Sequence, residues 1–326
     1  MSVTIKDIAK QAGVSYSTVS KALRDSPLVK PPTKKRIIAI AEQLGYKPNV
    51  AARNLVSRRS QTIGVVWPTI ERVAHSALIT SLNQRLEAIN YTTLISINDM
   101  KTAFSTFNQY PVDAILAFND SYSPIDYTSS VPIVTYGIAG QHSPFLTIDV
   151  NRKKAIQIAV EQLIQLGHQH ISYIGDLSGD FLQEEKVKGF KNALELFQLK
   201  PFADQTIKVQ GLEQYDGYIA ARKLLGKKSR PTAIISGSHD LSRGILQAIY
   251  ENQLSVPVDI SLISYDNIPE RHHLDIALST VGVPIDTITK TLVDALMHTI
   301  EGKAVPQTIY LEPELNLASS CQALTL

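Results

Sequence analysis

The chain has 326 residues, enough for two or three compact domains, and its 44% hydrophobic and 19% charged residues are typical of a globular protein. It contains no run of 18 apolar residues, its N-terminal MSVTIKDIAK lacks the apolar segment of a signal peptide, and its one cysteine, Cys321, cannot form an internal disulfide. These features exclude a membrane-spanning protein and a disulfide-stabilised one, and they predict a cytoplasmic location.

The net charge of +2 conceals an uneven distribution along the chain. Residues 1–60 contain 12 Lys and Arg against three acidic residues, a net charge of +9, whereas the remainder carries −7. A basic head on an acidic body is typical of a protein whose head binds nucleic acid. A solvated charged face or a membrane-surface segment would carry the same charge, so the residue pattern within the head has to distinguish them.

Three short helices are predicted in the first 45 residues. The first ends at Gly13 and carries an apolar stripe at helical spacing, formed by Ile5, Ile8, Ala9 and Ala12. Ser15 is a good N-cap for the second helix, because its hydroxyl can accept a hydrogen bond from a first-turn amide. The inward-facing residues of this second helix are Val19, Ala22 and Leu23.

The third helix is predicted to follow Pro31 and Pro32 and to end at Gly45. Its inward-facing residues are Ile37, Ile40, Ala41 and Leu44. The outward face of the second helix is polar and consists of Tyr16, Ser17, Ser20 and Lys21. A helix, a glycine turn and a capped helix with a polar outer face form a helix-turn-helix, which places the second helix in a major groove of DNA.

The segments TIKDIAKQAGVSYSTVSKAL, AEQLGYKPNVAARNL and SQTIGVV closely resemble the lactose/galactose repressor (LacI/GalR) family, and the likeness continues more loosely to about residue 318. The resemblance implies a homodimeric transcription regulator that binds a pseudo-palindromic double-stranded operator. It also implies that Asn49–Ser57 forms a hinge helix on DNA, in which Leu55 wedges into the minor groove. The alternative is that Leu55 is an ordinary linker residue.

The residues predicted to bind DNA lie on the second helix and in the hinge, with a few neighbours. They are Thr4, Ser15, Tyr16, Ser17, Thr18, Ser20, Lys21, Tyr46, Asn49, Arg53 and Leu55. The chain departs from the family at the start of the third helix, where the usual capping serine is Lys30. Pro31 is expected to compensate for that loss only in part.

After residue 61, short β-branched runs alternate with amphipathic helices. The predicted strands are TIGVVWP, TTLISI, DAILAF, PIVTY, HISYIGD, TAIISG and ISLISYD, and the predicted helices include 152–166, 183–197, 214–225 and 241–252. This alternation indicates an α/β fold with doubly wound parallel sheets in two lobes. Ligands of such folds bind at the carboxyl ends of the strands, so the cleft between the lobes is the expected site.

The family resemblance implies a periplasmic-binding-protein fold whose lobes exchange strands near residues 150, 282 and 312. The predicted domains are a headpiece over residues 1–47, a hinge helix and linker over 48–60, and a core over 61–326. Within the core, the N-lobe is expected to comprise 61–151 and 282–311, and the C-lobe 152–281 and 312–326.

The sequence contains no G-x-S-x-G, P-loop, HExxH or paired-cysteine metal motif. The expectation is therefore a regulator that is not an enzyme and that has no cofactor and no metal. A sugar-processing enzyme with a fused DNA-binding head is one alternative. Another is a regulator controlled mainly by a protein partner, such as a phosphorylated carrier protein.

The resemblance also implies an effector pocket, and the chain departs from the family there. Lys186 stands where arginine is usual, Ser238-His239 replaces an Asn-Asp pair, Asn151 replaces an acid, and Arg72 to His75 replace an Asn-Pro-aromatic-aromatic segment. Only Asp266 is kept. The predicted effector-binding residues are Arg72, His75, Asn151, Lys186, His239 and Asp266.

These departures remove acids from the pocket and add hydrogen-bond donors. They predict a sugar-like effector that is anionic, such as a sugar acid or sugar phosphate, and a repressor of carbohydrate-utilisation genes. The alternatives are that the altered positions face solvent or that the alignment is displaced by a few residues.

Overall fold

The structure, a computed structural model, describes residues 3–23, 25–46, 59–120, 128–139, 144–202, 204–227, 229–268 and 276–324. The chain divides into two compact units, Met1–Ser60 and Gln61–Leu326. Among the residues in these ranges, no helix has the length and apolar character needed to cross a bilayer.

The first unit contains three helices, α1 (Ile5–Ala12), α2 (Tyr16–Leu23) and α3 (Pro31–Gln43). They pack around Ile8, Val19 and Ile37, which are completely buried. Burying one such side chain contributes about 1.5–3 kcal/mol, so a few of them stabilise a small bundle. The three predicted helices are present, and each turns its predicted apolar stripe inward.

The ends of these helices show why they begin and stop where they do. Gly13 ends α1 with a φ of +61°, a left-handed conformation that glycine adopts without a Cβ penalty. Ser15 precedes α2, and its hydroxyl accepts a hydrogen bond from the backbone N–H of Thr18 at 3.1 Å. Lys30 makes no side-chain cap for α3, which begins at Pro31, a residue with no N–H to satisfy.

The second unit is built on two six-stranded sheets. The first sheet has the strand order β11-β5-β4-β3-β1-β2, and the second has the order β12-β10-β9-β8-β6-β7. Within the described residues all strand pairs are parallel except β10 with β12. The strands are β1 (Thr62–Val66), β2 (Thr92–Ser96), β3 (Ala114–Asn119), β4 (Ile133–Gly137), β5 (Leu146–Val150), β6 (Ile171–Asp176), β7 (Thr206–Lys208), β8 (Ala233–Ser236), β9 (Ser261–Tyr265), β10 (Ser279–Gly282), β11 (Thr308–Leu311) and β12 (Glu314–Asn316).

Helices connect the strands and cover the sheets, as the doubly wound fold requires. They are α4 (Val73–Ala88), α5 (Met100–Gln109), α6 (Arg152–Gln165), α7 (Phe181–Leu196), α8 (Gln214–Leu225), α9 (His239–Glu251) and α10 (Ile285–Ile300). Helices α4 and α10 pack together against the first sheet, while α6 packs on α7 and α8 on α9. The predicted fold class is confirmed.

Two helices begin two residues earlier than their apolar periodicity predicts, because a polar side chain caps each one. Asp180 accepts a hydrogen bond from the N–H of Gln183, so α7 starts at Phe181. Ser238 accepts one from the N–H of Leu241, so α9 starts at His239. The second shift changes the role of His239, as described below.

The chain passes between the two sheets at three places in the second unit. It crosses after β5, which ends at Val150, again between β10 and α10, and once more between β11 and β12. The carboxyl ends of β1, β3, β4 and β9 carry the large side chains that line the cleft between the lobes. The topology therefore creates the site by bringing the ends of distant strands together.

Candidate functional site

The exposed face of α2 carries three of the residues predicted to contact bases. Tyr16 is 55% exposed, and Ser17 and Lys21 are exposed beside it, whereas Val19 and Ala22 on the opposite face are buried. This arrangement exposes a phenol, a hydroxyl and an ammonium group on the face that would meet the edges of bases in a major groove. The Ser17 hydroxyl also lies 2.8 Å from that of Ser15.

Four other predicted DNA-binding residues are engaged within the headpiece. The Ser15 hydroxyl caps α2 and lies 2.8 Å from the hydroxyl of Thr18. The N–H and hydroxyl of Thr4 both donate to Asp7, at 2.9 and 2.7 Å. Tyr46 packs against the apolar core. Ser15 and Thr18 thus hold the first turn of α2 and Thr4 that of α1, and each of the four residues retains some exposed surface.

The remaining headpiece predictions are divided between described and undescribed residues. Ser20 on α2 is half-buried. The hinge residues Asn49, Arg53 and Leu55 lie outside the described residues, so the minor-groove wedge stays a prediction.

The second unit has a cavity of about 90 Å³ in the cleft between its lobes, and aromatic residues form one wall of it. The Trp67 ring lies nearly parallel to that of Tyr136, with their centroids 6.1 Å apart, and 5.0 Å from the ring of Phe118. His75 meets Trp67 edge-on at 5.9 Å. An apolar wall with a few polar groups is typical of a small-molecule site.

Sequence reasoning did not identify this aromatic wall, although a signal for it exists. Trp67 directly follows β1, and Phe118, Tyr136 and Tyr265 stand at the ends of β3, β4 and β9. Because the carboxyl ends of parallel strands meet at one edge of a sheet, aromatic residues at those positions could have been assigned to the cleft.

Four of the six predicted effector residues line the cavity, namely Arg72, His75, Lys186 and Asp266. Lys186, on α7, is 4% exposed; its Nζ donates to the Gly237 carbonyl at 2.8 Å and lies 3.6 Å from the centroid of the Tyr265 ring. Burial lowers the pKa of Lys186 to about 7, with Asp266 opposing that effect and Arg72 adding to it.

Asn151 and His239 do not line the cavity. The Asn151 side chain accepts a hydrogen bond from the N–H of Lys154 and caps α6. His239 is the first residue of α9, and its backbone N–H donates to Asp266 Oδ2 at 3.2 Å. Both residues therefore act at helix starts, where sequence alignment alone does not show which way a side chain turns.

His75 is a neutral acceptor here, which differs from the donor role predicted for it. Its Nδ1 lies 3.2 Å from the Thr69 carbonyl oxygen, and since a carbonyl can only accept, Nδ1 carries the proton. Burial, with the nearby charge of Arg72, lowers the pKa of His75 to about 4. At neutral pH its Nε2 is therefore an acceptor for a ligand hydroxyl.

Arg152 lines the cavity and was not predicted, because in the sequence it begins the run RKK and resembles a solvated cluster. Its guanidinium donates to Asp149 at 2.6 Å and to the Gly137 carbonyl at 3.3 Å, and Glu185 lies 3.7 Å away. Its charge is thus compensated within the protein. Arg72 and Lys186 are left as the cations at the cavity for which the described residues provide no ion pair.

Asp266 combines a special backbone conformation with a place in the cavity wall. Its φ of +86° is one that side-chain-bearing residues rarely adopt. Such conformations cost on the order of 1–3 kcal/mol and persist where the surroundings hold them, often at ligand sites. The Asp266 carboxylate is positioned to accept hydroxyl groups of a ligand.

Two buried side-chain donors at the cavity have no hydrogen-bond partner in the described part of the chain, Trp67 Nε1 and Arg72 Nε. Both groups can only donate. A third buried unpartnered atom, Thr93 Oγ1, is on β2 and does not line the cavity. No cluster of three or more metal-ligating side chains occurs within the described ranges.

The lobes also touch directly beside the cavity. Asp240, in the first turn of α9, accepts a hydrogen bond from the N–H of Val73, the first residue of α4, at 3.3 Å. Burial raises the pKa of Asp240, and this hydrogen bond opposes that effect. The contact joins the start of α4, at the residue after Arg72, to a carboxylate on a helix of the other lobe.

Comparison with known proteins places both units. Residues 4–49 match the family model "Bacterial regulatory proteins, lacI family", and residues 160–321 match the model "Periplasmic binding protein-like domain". The fold of this chain is similar to that of the Lac repressor dimer bound to operator and the anti-inducer ONPF, with a TM-score of 0.84. The two sequences are 24% identical, and the match covers 99% of this chain and 100% of that one.

Two curated relatives extend the match in sequence. The "Probable HTH-type transcriptional repressor ExuR" of Bacillus subtilis is 32% identical over 99% of both chains. The Catabolite control protein A of Priestia megaterium is 31% identical over 82% of this chain and 83% of its own. The chain therefore belongs to the lacI family of bacterial regulatory proteins, which are DNA-binding transcription regulators and not enzymes.

Proposed function

We propose that the protein is a homodimeric repressor that binds a pseudo-palindromic operator, and that an anionic sugar, a sugar acid or a sugar phosphate, controls its affinity for DNA from the cleft. The observation that carries the effector class is that the unpartnered buried polar groups at the cavity, Trp67 Nε1 and Arg72 Nε, are both donors. A buried donor without a partner costs about 1–3 kcal/mol, which a ligand oxygen would recover.

Charge at the cavity supports an anionic oxygen as that acceptor. Arg72 and Lys186 bring cationic groups to the cavity, whereas the charge of Arg152 is matched by Asp149. Hydrogen bonds to an ionised group are stronger than neutral ones, so a carboxylate or phosphate gains more from these donors than a hydroxyl does.

Acceptors at the same cavity support a polyol for the rest of the ligand. Asp266 can accept two hydroxyl groups, and His75 Nε2 can accept one. The flat apolar faces of Trp67, Phe118 and Tyr136 provide a surface for a sugar ring. A ligand with an anionic end and several hydroxyls satisfies both sets of groups.

The headpiece and the relatives support the proposed dimer and operator. A single α2 presents one short reading face, and a two-fold dimer presents two, which is why operators of such proteins are pseudo-palindromic. The similar Lac repressor structure is described as a dimer bound to operator and to a small anti-inducer. We extend those three properties to this chain, together with control of carbohydrate-utilisation genes.

The test uses the chain's one tryptophan, Trp67, as a reporter, because it lies in the cavity wall. Tryptophan fluorescence is titrated with matched sets, each made of a neutral sugar, its sugar acid and its sugar phosphate. The first set is glucose, glucuronate and glucose 6-phosphate, and the others are the corresponding compounds of galactose, fructose and mannose where they exist. We expect an anionic member to bind at least about tenfold more tightly than its neutral parent, which corresponds to about 1.4 kcal/mol.

Operator control is tested in parallel by gel shift on promoter fragments from the genes beside this one. The anionic sugar that binds in the fluorescence assay should change the amount of complex. Tighter binding of the neutral sugars would contradict the anionic effector, and absence of any complex with DNA, with or without the sugars, would contradict the repressor itself.

A further inference from the structure

Lys186 is buried in a way that leaves its charge uncompensated. Its Nζ has three uncharged neighbours, the Gly237 carbonyl at 2.8 Å, the side-chain amide oxygen of Gln183 at 3.2 Å and the centre of the Tyr265 ring at 3.6 Å, and it forms no ion pair with a carboxylate of the described residues. An ammonium group removed from water without a carboxylate partner is costly, and lysine responds to such burial by releasing its proton.

Charged and titratable groups surround Lys186 on several elements. They are Arg72 and His75 from the start of α4, Arg152 from α6, Asp180 from the start of α7, Asp266 and Tyr265 from the end of β9, Tyr173 from β6, and His239 and Asp240 from the start of α9, which follows the Gly237 carbonyl. Asp180 and Asp266 favour the ammonium form, and Arg72 and Arg152 oppose it.

Three of these groups do not change charge near neutral pH. Burial raises the pKa of both Tyr173 and Tyr265, so these phenols stay protonated. Burial, with the charge of Arg72, keeps the pKa of His75 at about 4, so its ring stays neutral. The pKa of Lys186 itself lies at about 7, so Lys186 brings a positive charge to the cavity wall that is lost as the pH rises through the neutral range.

We propose that an anionic effector enters this cleft together with one proton, which is taken from solvent and bound by Lys186 Nζ, whereas a neutral sugar binds without a proton. The inference rests on the proposed anionic effector. In the bound state the amine has become an ammonium facing the ligand's carboxylate, and the buffer has lost the proton. Lys186 thus determines at which pH the site prefers anions to neutral sugars.

The choice of lysine makes this coupling possible. A guanidinium at the same position would stay charged at every accessible pH and would take up nothing on binding. With lysine, affinity for an anion should be independent of pH below about pH 7. Above that pH it should fall by up to tenfold for each unit, until the pH reaches the pKa that Lys186 has in the complex. Affinity for a neutral sugar should not follow this slope.

Calorimetry on the full chain tests the proposal. The probes are glucuronate and galacturonate, because uronate carboxyls are ionised throughout this range, whereas a phosphate has a second pKa of about 6 and would itself titrate. Each titration is run in two buffers that carry no carboxylate or phosphate and whose ionisation enthalpies differ, HEPES and Tris at pH 8 and MES and bis-Tris at pH 6, so that the difference in heat gives the number of protons taken up. We expect close to one proton at pH 8 and about a tenth of that at pH 6.

Two variants assign the proton. Lys186→Arg should bind the uronate with no proton uptake at pH 8 and with an affinity that is level from pH 6 to pH 9. Lys188→Arg makes the same replacement at an exposed position of the same helix, outside the cavity wall, and should leave proton uptake unchanged. Thermal unfolding verifies that both variants are folded, and the wild-type measurement stands without them.

The possible results separate this proposal from the proposed function. Binding of a uronate by the wild-type chain with no proton uptake at pH 8 overturns the role of Lys186 and leaves the anionic effector in place. Equal uptake by wild type and Lys186→Arg would show that another group takes the proton. Failure of both uronates and of every sugar phosphate of the fluorescence sets to bind at pH 6, where Lys186 is charged, would contradict the anionic effector and the proposal together.

Discussion

The DNA-reading face and the effector cleft of this protein are built in opposite ways. The reading face of α2 comes from neighbouring residues, with Tyr16, Ser17 and Lys21 presented by a single helical turn and a half. The cleft assembles Arg72, Lys186 and Asp266 from three separate elements of the second unit. A local site is exposed and can be changed one side chain at a time, whereas a non-local site is buried and its groups depend on one another.

The two sites also treat charge differently. Lys21 is exposed, so its charge is stabilised by water and is weakened by salt. Lys186 is buried, so its charge is set by the few groups that surround it. The headpiece is therefore suited to attract a polyanion from a distance, and the cleft is suited to select among small molecules.

The largest difference between the sites should be in their response to salt. Operator affinity should fall about a thousandfold or more between 50 and 200 mM salt, because a basic headpiece that neutralises several phosphates releases their counterions. Effector affinity should change much less, because Lys186 is buried and Arg72 is half-buried, so salt screens their charges less. Fluorescence anisotropy of a labelled promoter fragment measures operator affinity, and the fluorescence of Trp67 measures effector affinity. If both affinities depended on salt concentration to the same extent, the two sites would not differ in this way.

Asp266→Asn should weaken binding of a sugar without changing the affinity of the sugar-free protein for DNA. The substitution keeps the size and suits a positive φ, but it removes a charge-assisted acceptor, and the expected loss is about 1.5–3 kcal/mol, or tenfold to a hundredfold. Titration of Trp67 fluorescence at pH 6.5 measures it. Glu71→Gln makes the same change in charge at an exposed position outside the cavity wall, and a similar loss there would show that the effect is only electrostatic.

Lys21→Ala should have the converse effect, changing base preference and leaving the cleft intact. If the ammonium contacts a base edge, its loss should cost about 1–3 kcal/mol on the preferred operator and less on operators altered at one base pair. Lys10→Ala removes an exposed lysine from α1 and serves as the control for net charge. Equal losses on all operators for Lys21→Ala would assign this residue to the phosphate backbone.

The smallest effect should come from restoring a cap to α3. Lys30→Ser places a hydroxyl at the N-cap position, where the structure shows no side-chain cap, and should stabilise the headpiece by about 1 kcal/mol. Slower hydrogen exchange at the amides of Thr33 and Lys34 in the full chain would show it. Lys30→Ala lacks the hydroxyl and should give no protection, and effector affinity should be the same in all three proteins.

Much of this protein could be predicted because local signals and the final structure agree. The apolar stripes, Gly13 and the Ser15 cap predict the headpiece helices, and the alternation of strands and helices predicts two parallel lobes with a cleft. The places where boundaries differed, at Phe181 and His239, are those where a capping side chain extends a helix beyond its apolar stripe. Such caps add two residues in which no hydrophobic periodicity reveals the helix.

The sequence by itself determined which residue types reach the cleft region, among them Arg72, Lys186 and Asp266. Only the tertiary structure decided what each one does there: Arg152 enters the cavity already paired, His75 becomes an acceptor, and Asn151 and His239 turn to helix starts. The physical reason is that protonation, pairing and direction depend on burial and on partners from other strands. Those partners are adjacent in space but distant along the chain, so no local pattern records them.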